Sequence, residues 1–72
     1  AKSLFQEKAQ ELESVTPAYK VMSDSGPDHE KVFVVGVFLD NNLIAEGVGA
    51  SKQEAEQKAA KEGLKAKNWQ MK

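Results

Sequence analysis

The chain has no cysteine and no arginine, and among its 72 residues there are only two prolines, one tryptophan and one tyrosine. Without cysteine, disulfides, zinc knuckles and thiol nucleophiles are excluded, so stability has to come from packing, and a reducing cytoplasm suits such a chain. Without arginine, the planar fork that reads guanine in a DNA major groove is missing, and every cation is a lysine point charge. Long apolar runs are missing too. The longest, residues 32–39, is eight residues including Gly36, far short of the ~20 needed to span a bilayer or of a signal core behind a basic leader. The expectation is a cytoplasmic chain with no membrane partner. It starts at Ala1 with no initiator methionine, which suggests either processing or, as the preferred reading, a piece of a longer polypeptide. No internal repeat or low-complexity tract is evident.

What is present fits one small folded domain spanning residues 1–72. Hydrophobic residues make up 40% and charged residues 29%, and the apolar residues fall in short periodic clusters, not thinly as in disordered chains. Ten basic and eleven acidic residues leave a net charge of −1, which at first argues against a polyanionic partner. The distribution argues the other way: six of the ten lysines, Lys52, Lys58, Lys61, Lys65, Lys67 and Lys72, lie in the last third, so a positive field is local.

Residues 3–15 carry Leu4, Phe5, Ala9 and Leu12 at helical intervals. Ser3 with Gln6 predicts a capping-box start, and Thr16 before Pro17 predicts the end, because a residue preceding proline is pushed out of the α region. A short extended segment follows over 18–24, then a loop from Ser25 to His29. Residues 31–39 are rich in β-branched and aromatic types and form the central strand, with Phe33, Val35, Val37 and Leu39 on one face and Phe38 on the other. Asp40, Asn41 and Asn42 turn the chain into a third strand over 43–50, in which Gly47 and Gly49 mark a bulge or a close backbone approach. Ser51 with Glu54 opens a second helix over 51–67, whose inner stripe of Ala55, Ala59, Ala60, Gly63 and Leu64 can lie close against a sheet. The order predicts an α+β fold: a two-layer α-β-β-β-α sandwich with a three-stranded antiparallel sheet and both helices on one face.

Gly26-Pro27-Asp28-His29, then Phe33-Val34-Val35, then Gly47-Val48-Gly49-Ala50-Ser51-Lys52 running into Ala55-Glu56-Gln57-Lys58-Ala59-Ala60 resembles the double-stranded-RNA-binding domain family. The likeness covers nearly the whole chain, and the Gly-Pro-Asp-His loop and the form of the second helix look most like the C-terminal domain of bacterial ribonuclease III. It implies three RNA contact regions. Gln6, Glu7 and Gln10 would enter a minor groove, where glutamine can donate to and accept from 2′-hydroxyls. Pro27, Asp28 and His29 would enter the next minor groove. Ser51, Lys52 and free backbone N–H groups would meet phosphates across the intervening major groove. Such contacts span ~16 base pairs of A-form duplex by shape, which B-form DNA does not match.

The family pattern has further lysines after Lys52, whereas this chain has Gln53 and Glu56. Glu56 is expected to pair with Lys52 and weaken the phosphate contact, with Gln53, Gln57 and Lys58 compensating. The bland alternatives stand beside these roles. Gln6, Glu7 and Gln10 also fit a solvated helix face, His29 fits a plain surface loop, and Lys58, Lys61 and Lys65, interleaved with Glu54 and Glu62, fit a solubilising surface. Tyr19 and Phe33 fit the core better than a base-stacking row; the packing of Trp69 is open.

Asp24 with Asp28, and Glu54 with Glu56, fit turn and helix-end chemistry better than a metal site. No catalytic residue, metal ligand or cofactor is therefore expected here. The resemblance implies a non-catalytic domain that delivers duplex RNA to a separate Mg2+-dependent, dimeric nuclease domain. The rival is a protein-interaction or dimerisation module of the same fold with weak or lost RNA binding.

Overall fold

The structure, a computed structural model, describes residues 2–69. Its elements run α1 (Lys2–Glu13), β1 (Ala18–Ser25), a 3-10 turn (Asp28–Glu30), β2 (Val32–Leu39), β3 (Asn42–Gly49) and α2 (Lys52–Lys67). The strands form one antiparallel sheet in the order β1-β2-β3, and both helices contribute to one core on one side of it.

The alternation of β2 sets that core. Val35 and Val37 are fully buried and Leu39 nearly so, against Phe5 and Ala9 of α1 and Ala55, Ala59, Ala60 and Leu64 of α2. Phe33 and Tyr19 are half-buried and pack on the same cluster, while Phe38 is half-buried on the opposite face. Leu12 departs from the expected inner stripe: it is 56% exposed, in the last turn of α1 beyond Ala9.

Both ends of α1 differ from those the sequence suggests. The helix already includes Lys2, so Ser3 lies inside the first turn instead of capping it. It stops at Glu13, two residues early, because Ser14 takes the left-handed conformation (φ 56) and donates its N–H to Gln10 O at 3.1 Å. That closure ends the helix before Pro17 can act. α2 begins as expected: Ser51 Oγ accepts from Glu54 N at 3.1 Å, and Glu54 Oε1 accepts from Ala50 N at 2.7 Å, one residue before the usual return bond. It ends with Asn68 in the left-handed region and N–H bonds from Asn68 to Lys65 O and from Trp69 to Leu64 O, a Schellman closure. Trp69 is thereby folded back to 5.4 Å from Phe5, ring centre to ring centre.

Gly47 and Gly49 mark a close approach. The register irregularities of the sheet lie elsewhere, between Val21 and Ser23 and between Val37 and Phe38. Asp40 and Asn41 both have positive φ (52 and 68), the two-residue turn whose twist suits a hairpin.

Two ion pairs tie the helices: Lys2 Nζ to Glu56 Oε1 at 2.7 Å and Lys67 Nζ to Glu13 Oε2 at 2.6 Å. The first joins the start of α1 to the second turn of α2 and the second joins the last residues of both helices, so α1 and α2 run in the same direction. Beneath the first pair, the Tyr19 hydroxyl is buried and has no hydrogen-bond partner among the described residues. Burial, with a smaller contribution from the Glu56 carboxylate, pushes its pKa up to about 12 from 10.0. The folded state thus favours the neutral phenol, so this contribution to stability is complete below pH 10.0 and is lost as pH rises through about 12. Tyr19→Phe is expected to abolish the Tyr19 part of alkaline destabilisation and to be neutral or slightly stabilising at neutral pH, since it removes an orphan hydroxyl. Denaturant midpoints across that pH range check it, with tyrosinate absorbance as a direct monitor because Tyr19 is the chain's one tyrosine.

Candidate nucleic-acid interface

Every side chain singled out in the sequence lies at the surface: Gln6, Glu7 and Gln10 on α1; Pro27, Asp28 and His29 in the β1–β2 connection; Ser51 at the cap of α2; and Lys52, Gln53, Gln57 and Lys58 on its first two turns. Gln6 and Gln10 are one turn apart and adjoin the buried Phe5 and Ala9, so the inner stripe of α1 turns them outward together. Gln10 is not idle. Its Nε2 donates to Thr16 Oγ1 at 3.3 Å, an exposed bond that a ribose hydroxyl can replace.

The loop is shaped by its glycine. Gly26 has φ +95, and a Cβ there would lie 2.6 Å from Glu30 O, so only glycine lets the chain fold back. Pro27 then holds the extended conformation (φ −68, ψ 162), and its carbonyl accepts from Glu30 N at 2.8 Å. The result is one 3-10 turn over Asp28–Glu30, presenting Asp28 and His29 on an exposed tip where the sequence indicates only a loop.

Sheet register brings two of the three clusters to one end of the molecule. Phe33, just after the loop, pairs with Gly49, just before the cap of α2, so Pro27 to His29 and Ser51 to Gln53 share that end. α1 runs beside α2, with Lys2 against Glu56 of the second turn.

At the start of α2, the cap already uses Ser51 Oγ as an acceptor and seats the Glu54 carboxylate by the Ala50 N–H. The N–H groups of Lys52 and Gln53 keep no acceptor within the helix, as first-turn donors do, and they point with the positive end of the helix dipole. Lys52 is exposed and has no ion-pair partner among the described residues, because Glu56 pairs with Lys2 and not, as expected, with Lys52. The long-range partner lies closer to Glu56 than the lysine one turn before it. Lys58 is paired with Glu54 at 3.7 Å, both side chains about half exposed; such surface pairs contribute at most ~1 kcal/mol and exchange readily. Lys65 likewise meets Glu62 at 3.6 Å, so Lys58 and Lys65 are balanced, while Lys52 and Lys61 are exposed with no ion-pair partner among the described residues. Lys31, two residues after His29, also lacks an acidic partner among the described residues. Only its place beside the loop, visible in the fold, marks it.

Among the described residues no three His, Asp or Glu side chains gather into a possible metal site, and no helix is long and apolar enough to cross a membrane. A helix, a loop tip and a helix N-terminus, each polar and exposed, stand on a small α+β sandwich of the α-β-β-β-α class. The chain belongs to the double-stranded RNA binding motif family, whose model matches residues 1–67, and it binds double-stranded RNA. It is 49% identical over 65 residues to Ribonuclease 3 of Sulfurovum sp. (strain NBC37-1), covering 90% of this chain and 29% of that protein. With Ribonuclease 3 of Borreliella burgdorferi the identity is 48% over 65 residues, covering 90% and 26%. The chain thus spans less than a third of the length of these relatives. Among solved structures, the first dsRBD of protein HYL1 superposes with a TM-score of 0.74 at 32% identity, covering 96% of this chain and 97% of that one.

Proposed function

We propose that this chain is the RNA-docking domain of a ribonuclease III, gripping A-form duplex by shape while cleavage is carried out by a separate nuclease domain. In this reading Gln6, Glu7 and Gln10 enter one minor groove and meet 2′-hydroxyls. Pro27, Asp28 and His29 enter the next, and Ser51, Lys52, Gln53, Gln57 and Lys58 face the phosphates between. The observation that carries it is the shared sheet end of the loop and the α2 cap, with α1 fastened alongside α2, since shape recognition needs clusters at fixed separations. The likeness to two proteins named Ribonuclease 3 supports the wider assignment.

In this reading the metal chemistry of RNA cleavage belongs to the separate nuclease domain. The full protein is then a homodimer through that domain and works in the cytoplasm. Duplex DNA is disfavoured because it lacks the 2′-hydroxyl and has different groove widths.

The test is a titration with labelled RNA duplex of about two helical turns, with matching DNA duplex and single-stranded RNA as controls, at two salt concentrations. Only the RNA duplex is expected to bind well. Lys52→Ala is expected to weaken it roughly fivefold, as loss of an exposed charge-assisted contact of about 1 kcal/mol gives, and to lower the salt slope by about one. Its thermal stability should be unchanged, since Lys52 makes no ion pair among the described residues. Equal binding to all three nucleic acids would overturn the shape reading.

A further inference from the structure

The face of the sheet turned away from the helices carries large apolar side chains on β2 and β3 and at Met22, while the paired residues of β1 on it are mostly polar. Strand pairing places Val32, Val34, Gly36 and Phe38 of β2 on it, with Ala18, Lys20, Ser23 and Ser25 of β1 and Leu43, Glu46 and Val48 of β3. Met22, the unpaired residue at the β1 irregularity, joins them: its Sδ lies 3.1 Å from where a Gly36 Cβ would be, and Leu43 Cδ1 lies 2.9 Å from the same point. These two side chains close over Gly36 from opposite strands and make the surface continuous. Val32, Met22, Leu43 and Val48 are 41%, 43%, 48% and 49% exposed, a clustering of large apolar side chains of the kind that marks interaction surfaces.

Charge identifies that partner. The face bears one cation and one anion, Lys20 and Glu46, and both pair in register with Gly36, one from each side. They stand two strand spacings apart, about 9.6 Å, and neither has an ion-pair partner among the described residues. A two-fold axis parallel to β2 lays a second copy's β1 over β3 and sets Lys20 of each copy against Glu46 of the other. An axis across the strands would set Lys20 against Lys20, so the charges choose between the two packings.

We infer that this face is a self-complementary docking surface for a second copy of the chain, two sheets stacked face to face about an axis along β2 with two symmetric Lys20–Glu46 pairs at its margins. Such closure by an isologous contact is the usual form of a homodimer, and stacked sheets pack ~10 Å apart with their strands nearly aligned. Three strands of eight residues give a face of roughly 14 by 26 Å, or about 370 Å2 per partner. That is below the ~800 Å2 of a standard interface, so the association is weak, with Kd on the order of 100 µM. None of the candidate RNA contacts lies on this face, and a bound duplex leaves it free.

Sedimentation equilibrium of the chain from about 10 µM to about 1 mM brackets that Kd and is expected to show a monomer–dimer equilibrium. Lys20→Glu sets two acids against each other twice over and is expected to weaken the dimer at least tenfold, while duplex-RNA affinity stays within twofold. The double exchange Lys20→Glu with Glu46→Lys restores the pairs and should bring dimerisation back, which a merely unstable variant would not do. A monomer throughout the range, or a dimer indifferent to the single exchange, or one that the double exchange fails to restore, would overturn the inference. None of these results bears on the RNA titration, which stands or falls by itself.

Discussion

Gly47→Ala is expected to lower the stability of the domain by about 3 kcal/mol or more, the upper end of overpacking costs, a large share of the roughly 4–11 kcal/mol typical of a chain this size. The added methyl would fall on the backbone of α2, against Ala59 N and Ala55 O and 2.6 Å from Lys58 C. Backbone in the middle of a helix cannot step aside alone. Relief requires lifting α2 from β3, which uncovers Ala55 and Ala59, both fully buried, and loosens the contact on which the core rests. Gly36→Ala is the control, because the atoms nearest its Cβ are the ends of the Leu43 and Met22 side chains, which can rotate away. Thermal or denaturant unfolding should place Gly47→Ala at least ~12 °C below the parent, at ~4 °C per kcal/mol for a domain of this length, with Gly36→Ala far closer to it. A Gly47→Ala midpoint within a degree or two of the parent would mean that α2 does not lie as close to β3 as described.

That close approach was legible in the sequence only as a choice between two explanations, and the structure shows what was missing. Glycines in a strand signal either a bulge or a near neighbour, and the near neighbour is a helix whose alanines lie eight to twelve residues further on. The alternation of Val35, Val37 and Leu39, the Ser51 cap and the Asp40–Asn41 turn were readable because each is a local arrangement with a local cause. The end of α1 was not, because Ser14 adopts a left-handed conformation that its identity does not demand. Least readable were the contacts that join the ends of the chain. Lys2 and Glu56 are 54 residues apart in sequence, and nothing near Glu56 shows that Lys2, and not Lys52, is its partner. For the candidate site this matters directly, since the departure from the family's lysine pattern at Glu56 costs Lys52 less than the sequence suggests. Among the described residues nothing neutralises Lys52, and Glu56 is put to use in fastening α1.

How α1 is fastened decides whether Gln6 and Gln10 reach a groove at all, and Trp69 is the expected weak point. α1 packs chiefly on α2, and its one large anchor is Phe5, fully buried, with its ring against Gly63 on one side and Trp69 at 5.4 Å on another. The Lys2–Glu56 and Lys67–Glu13 pairs are partly exposed and add at most ~1 kcal/mol each. Phe5→Ala, at about 3–5 kcal/mol, is expected to bring the whole domain near unfolding and so reports little about RNA. Trp69→Ala removes one wall of the Phe5 pocket and leaves the sheet, the loop and the α2 cap in place. In that variant the amides of α1 are expected to lose hydrogen-exchange protection ahead of those of β2 and α2, and affinity for duplex RNA should fall about tenfold, equivalent to ~1.4 kcal/mol. The salt slope should stay at the parent value, because the phosphate contacts at Lys52 and Lys58 are untouched and only phosphate neutralisation sets that slope. Trp69→Phe, which keeps a ring against Phe5, should recover most of the loss. If the slope fell with the affinity, or if α1 stayed as protected as in the parent, the minor-groove contacts would not depend on how α1 is docked, and Gln6 and Gln10 would revert to an ordinary solvated face.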